Sequence, residues 1–208
     1  MAVQVNAMVQ DANVLLNVVQ KYAVQLAEFG VTPEEISAMQ ALVPVLIDAD
    51  AAHKEQGNKL REKTGAQNAL IESAESAIRK IRNAANVVYL NDPGILKDFH
   101  IGINIPHSVA GLVTELNYIH EVAVRRLAEL ATRGIKEADL TVLTEISPRL
   151  QAIDSEQETI KREKVSAMAA RDGALKELRR TVAKFRKIAK LCFSGSPEIL
   201  NEFKKLPG

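Results

Sequence analysis

Residues 93–99 read PGILKDF and residues 197–203 read PEILNEF. The two stretches lie 104 residues apart in a chain of 208, and that spacing decides how the rest is read. Sliding the chain against itself by this offset brings Gly30 onto Gly134, Pro44 onto Pro148, Leu46 onto Leu150, Asp50 onto Asp154, Lys80 onto Lys184 and Arg82 onto Arg186, without a gap. The identities are too sparse to carry the argument alone, but the apolar phase carries over with them. Val5, Met8, Val9, Ala12, Leu15, Leu16 and Val19 follow the 3-4 spacing of one helical face, and Val109, Leu112, Val113, Leu116, Ile119 and Ala123 follow it at the same offset. The expected architecture is all-α: an antiparallel helical bundle of two similar tandem units, residues 1–104 and 105–208, of about three helices each. The units either lie side by side or are fused into one pseudo-twofold bundle.

The local signals place the elements. Each unit opens with a long amphipathic helix, over about 3–29 and 107–132, the second starting at Pro106 or Ser108. Gly30 and Gly134 stand where a left-handed C-terminal cap is required, a conformation glycine adopts without steric cost. Thr32, Pro33 and Glu35 read as N-cap, first helical residue and capping box, and Glu137 and Asp139 suit the corresponding start in the second half. Pro44 and Pro148 then predict breaks, because an interior proline costs about 3 kcal/mol. The polar stretch with Gly57 and Gly65, and its counterpart ending at Gly173, predicts a helical hairpin turning near Thr64–Gly65 and Ala170–Gly173. One long helix is the alternative, favoured by the unbroken apolar phase. The repeated Ile-Leu-x-x-Phe follows turn-forming residues and predicts a short closing helix that latches each unit.

Composition bounds the function. The chain is 47% apolar and 25% charged, with a net charge of +1, so no global field draws it to nucleic acid or an anionic membrane. One cysteine, Cys192, excludes an intramolecular disulfide framework and a multi-thiolate zinc site. The expected setting is a reducing one, a soluble cytoplasmic protein: the N-terminus lacks a basic start and carries Asp11 where a secretory signal would be apolar. No run approaches the roughly 20 apolar residues that cross a bilayer.

Candidate chemistry is sparse. No Glu-x-x-His occurs, as a di-iron bundle would need, and the Asp50 and His53 pair becomes Asp154 and Gln157 in the other half. His100 and His107, in the connector KDFHIGINIPHS, are the metal candidates, though the expectation is that no metal and no cofactor is held. No nucleophile elbow, Walker loop or dinucleotide loop is present, and Cys192 falls on the apolar phase as a buried thiol.

The basic run KELRRTVAKFRKIAKLCF, at 176–193, supplies the candidate binding residues: Arg179, Arg180, Lys184, Arg186, Lys187 and Lys190. The second half holds 18 basic and 14 acidic residues, the first half 9 and 12. A basic helix suits phosphates or an acidic partner, although no aromatics are interleaved to stack on bases. The opposite charges of the halves also point to association, within one chain or between two. The expected function is non-enzymatic: a structural or interaction protein that presents helix surfaces to a protein partner or to a second copy. Nucleic-acid or acidic-partner binding through 179–190 is the alternative.

Overall fold

The computed structural model describes residues 2–204; residues 1 and 205–208, the outer ends of the two expected units, lie outside that range. The described residues are all-α, with no strand among them. The helices are α1 (Ala2–Lys21), α2 (Ala23–Ala27), α3 (Pro33–Val88), α4 (Pro93–Asp98), α5 (Val109–Arg125), α6 (Leu127–Ala131), α7 (Glu137–Cys192) and α8 (Pro197–Glu202). The bounds of α2, α3 and α4 recur 104 residues later as those of α6, α7 and α8.

The caps follow the sequence signals. Gly30 and Gly134 have φ of 84° and 82°. Thr32 Oγ1 accepts from the Glu35 amide at 3.3 Å, which is half of a capping box; the Glu35 carboxylate pairs with Lys184 instead of reaching back. At the start of α7 the other half of the box is made, because Asp139 accepts from the Lys136 amide at 2.9 Å. Ser108 caps α5 through the Gly111 amide, and Asp92 caps α4 through the Ile95 amide.

Three expectations are corrected. Neither hairpin exists: α3 and α7 are each 56 residues long and run through Thr64–Gly65 and Ala170–Gly173. Pro44 and Pro148 do not break them, since both rings sit on the exposed side, as do Gln40 and Thr144, whose carbonyls they leave without a donor and which water can reach. The opening helices, by contrast, are interrupted at Tyr22 and Arg126, equivalent positions with ψ near 20°. The interruption turns Tyr22 onto Phe193 and Phe203, at 5.2 and 5.9 Å between ring centroids, and Arg126 over the Tyr89 ring at 5.5 Å.

Gly57, Gly65 and Gly173 therefore sit inside helices, and a methyl group added at any of them would meet nothing within 4 Å. Glycine costs about 1 kcal/mol relative to alanine in a helix interior. The triple change Gly57→Ala/Gly65→Ala/Gly173→Ala is expected to stabilise the protein by about 2–3 kcal/mol in denaturant unfolding; a loss of stability would mean that these glycines mark turns.

The chain divides into two compact units, and the division does not follow the halves of the sequence. Unit 1 is residues 1–58 with 162–208; unit 2 is residues 59–161. The core of unit 1 takes Ala12, Leu15 and Val19 of α1, Met39 and Leu46 of α3, and then Leu178, Phe185 and Ala189 of α7. The core of unit 2 takes Ile78, Ile81 and Ala85 of α3 with Leu112, Leu116 and Ile119 of α5 and Leu143 and Leu150 of α7. Each opening helix is thus covered by the closing segments of the other half. Phe99 seals the core that contains α5, and Phe203 the core that contains α1, so each latch closes on the opening helix it does not share a half with.

Within each unit α3 and α7 run antiparallel. In unit 1 Glu35 meets Lys184 and His53 meets Arg171. In unit 2 Lys80 meets Asp139 and Lys63 meets Glu156. Charge supports the pairing in unit 1: residues 1–58 carry 2 Lys or Arg and 7 Asp or Glu, whereas residues 162–208 carry 12 and 5.

Candidate functional site

Two places in unit 2 and two in unit 1 gather side chains that chemistry could use. The most buried is a charge cluster in unit 2. Arg82 on α3 donates to Glu115 on α5 at 2.6 Å and to the Ile103 carbonyl at 2.7 Å, and both side chains are 9% exposed. His100 Nδ1 lies 3.0 and 3.1 Å from the two Glu115 oxygens, so it donates its proton to the carboxylate. The imidazole stacks on Tyr118 at 4.4 Å with the rings 8° from parallel. His100 also has φ of 53°, a left-handed conformation unusual for a side chain that bears a Cβ. Its counterpart in unit 1 is simpler: Arg186 pairs with Asp11 at 2.6 and 3.0 Å and donates to the Phe203 carbonyl at 2.9 Å.

This geometry separates the two metal candidates. His100 is committed to Glu115 and Tyr118, while His107, 90% exposed, lies 3.7 Å from Glu75. They share no partner, and among the described residues no group of three His, Cys, Asp or Glu is placed to hold a metal ion. His53 accepts from Arg171 at 3.2 Å, so its Nδ1 carries a lone pair; the corresponding contact in unit 2 joins Gln157 to Gln67 at 2.9 Å. Burial pushes the Cys192 thiol up, and its sulfur lies 3.6 Å from the Gln25 carbonyl, a thiol held away from its nucleophilic form.

The second place in unit 2 is a groove between α3 and α7. Ala69, Ser73, Ser76 and Ala77 line one wall, Val142 and Ile146 the other, in two connected cavities of about 580 and 670 Å³ that share Ala69, Ser73 and Val142. An ion pair of 2.6 Å bridges the walls toward each end, Lys63–Glu156 and Lys80–Asp139. The Lys80 ammonium and the Lys136 amide hold the Asp139 carboxyl below its ordinary range.

No protein-family model, curated protein or solved structure matches the chain.

The basic run on α7 is divided by the structure. Arg186 is locked against Asp11, and Lys184 against Glu35. Arg179 borders a small cavity with Gln4, Val5 and Asp172. Arg180, Lys184 and Lys187 line an open groove of about 940 Å³ with Lys176, Ile188 and Leu191, the last 68% exposed. Lys176 opens the basic run but is not among the residues expected to bind from sequence, because Glu177 and Leu178 separate it from the arginines; the structure places it in the same groove. The signal lay in the offset: the position 104 residues earlier is Glu72.

Proposed function

We propose that this is a non-enzymatic interaction protein, made of two diverged tandem copies of one helical unit in an antiparallel bundle, that works by presenting helix surfaces to a protein partner or a second copy of itself. The observation that carries this is the unit 2 groove. One wall carries the small residues Ala69, Ser73, Ser76 and Ala77, flanked by Glu72 and Lys80, with the apolar Val142 40% exposed beside them. Small side chains let another helix approach closely, and an amphipathic helix laid in such a groove is a recurrent mode of recognition. The buried clusters support the non-enzymatic part. Arg82 and His100 both donate to Glu115, and burial pushes the half-buried Cys192 thiol up.

A photo-crosslinking residue placed at Ser73 tests this directly. Cross-linking in cells, followed by mass analysis, is expected to trap one dominant partner, and isotopic labelling tells a second copy from another protein. The same residue at Val124, also exposed in unit 2 and 50% accessible, is the control. Equal, diffuse cross-linking at both positions would overturn the proposal.

A further inference from the structure

A different surface carries a partner of different chemistry. On α7, Lys176, Arg179, Arg180, Lys187 and Lys190 are exposed and have no ion-pair partner among the described residues. The fold does not demand cations there. At the positions 104 residues earlier, in the same helical context, the chain carries Glu72, Glu75, Ser76, Asn83 and Asn86. The two cations that the architecture uses are matched: Lys184 has Lys80, paired with Asp139 as Lys184 is with Glu35, and Arg186 has Arg82, paired with Glu115 as Arg186 is with Asp11. The unmatched cations are thus surplus to folding. They spread over 15 residues of one helix, about 21 Å at 1.5 Å per residue.

Screening makes such a face act locally. At 0.1 M salt the Debye length is about 10 Å, so distant acidic residues do not cancel it and a near-zero net charge is no obstacle. On the groove itself Glu177 is the one acid among the described residues, set against the five cations of the face. Four candidate occupants differ in what they would require. Single-stranded nucleic acid is held by aromatic stacking as well as charge, and the face has no aromatic residue. A membrane surface needs a broad apolar face beside the cations, and here only Leu191 and half-buried Ile188 lie near them. Protein interfaces are depleted in lysine and anchored by aromatics, whereas lysine makes up three of these five. What remains is a rigid row of anions that needs nothing but charge.

We propose that the face of α7 from Lys176 to Lys190 binds the phosphodiester backbone of a nucleic-acid duplex without sequence preference. Backbone contacts of this kind release counterions, so the logarithm of affinity falls with the logarithm of salt by about 0.9 per phosphate contacted. Five contacts predict a slope of about −4.5, which is a loss of roughly 500-fold between 50 and 200 mM salt.

The test uses the whole chain, a 20-base-pair DNA duplex of mixed sequence and fluorescence anisotropy at several salt concentrations. The decisive variant is K176E/R180S/K187N, which installs the residues that the chain already accommodates at 72, 76 and 83, so the fold is kept; circular dichroism checks this. Its salt slope is expected to fall to about −2, with affinity reduced at least tenfold. An unchanged slope and affinity in the folded variant would overturn the proposal. So would no binding at 50 mM salt, tighter binding of poly-glutamate or of a single strand of equal charge, or capture by phosphatidylserine vesicles without duplex binding. Because this face lies in unit 1 and the cross-linking site in unit 2, failure of either proposal leaves the other standing.

Discussion

Replacing Glu115 by alanine is expected to destabilise the protein by about 3–5 kcal/mol in denaturant unfolding, the largest effect of any single charge removal. Glu115 and Arg82 are each 9% exposed on their side chains; Arg82 also donates through Nη1 to the Ile103 carbonyl, while its buried Nε has no hydrogen-bond acceptor among the described residues. Deleting one partner leaves a guanidinium buried without a counter-charge, and that uncompensated charge, more than the lost attraction, sets the cost. Hence Arg82→Met combined with Glu115→Leu should cost far less than Glu115→Ala alone, because two apolar groups strand nothing. The equivalent change in unit 1, Asp11→Ala, should cost less: the Arg186 side chain is 24% exposed and can be rehydrated. A cost below about 1 kcal/mol for Glu115→Ala would show that the cluster is solvated in solution. His100 extends the same cluster. Without Glu115 its left-handed backbone and its stack on Tyr118 lose the acceptor that fixes the ring, so the connector before α5 should gain amide exchange in that variant.

The sequence was legible where a physical rule acts locally. Glycine at a left-handed cap, serine and aspartate at helix starts, and the apolar phase of the opening helices all describe what the chain does within a few residues. Gly65 and Gly173 misled because a glycine permits a turn without requiring one, and the flanking 3-4 pattern, which ran through them unbroken, was the better signal. Periodicity also says which face of a helix is apolar and is silent on which helix covers it. A half closed on itself and a half that lends its closing segments to the other bury the same residues, so the composition of the two units could not be read from phase. Charge held a clue to it: residues 1–58 are net −5 and residues 162–208 net +7, and these are the segments that unite in unit 1. At the candidate binding face, the density of arginine and lysine gathered residues with unlike tasks. The positions 104 residues away divide them into Arg186 and Lys184, whose ion pairs recur at Arg82 and Lys80, and Lys176, Arg180 and Lys187, whose counterparts are Glu72, Ser76 and Asn83.

Phe99→Ala is expected to cost about 3–5 kcal/mol, as is typical for a buried phenylalanine, and where the loss is felt is as informative as its size. Phe99 is fully buried and stacks on Tyr89 at 6.1 Å, while Phe203 is 3% exposed and stacks on Phe193 at 5.6 Å. The helices that precede them, α4 and α8, have six residues each. A helix this short has no stability of its own in water, so side-chain burial is what keeps it docked. Releasing α4 would also loosen Ile103, whose carbonyl accepts from the buried Arg82, and so couple the loss of packing to the charge cluster. Phe99→Leu, which keeps most of the buried volume, should cost about 1–1.5 kcal/mol by comparison. Hydrogen exchange then reads the composition of the units. If the closing segment of the first half packs over α5, Phe99→Ala raises exchange in 109–125 and leaves α1 protected; Phe203→Ala does the reverse, exposing α1 and sparing α5. The opposite pattern, with each truncation loosening the opening helix of its own half, would mean that residues 1–104 and 105–208 close on themselves in solution. An exchanged core predicts that a change at residue 99 is reported first by the helix that follows it.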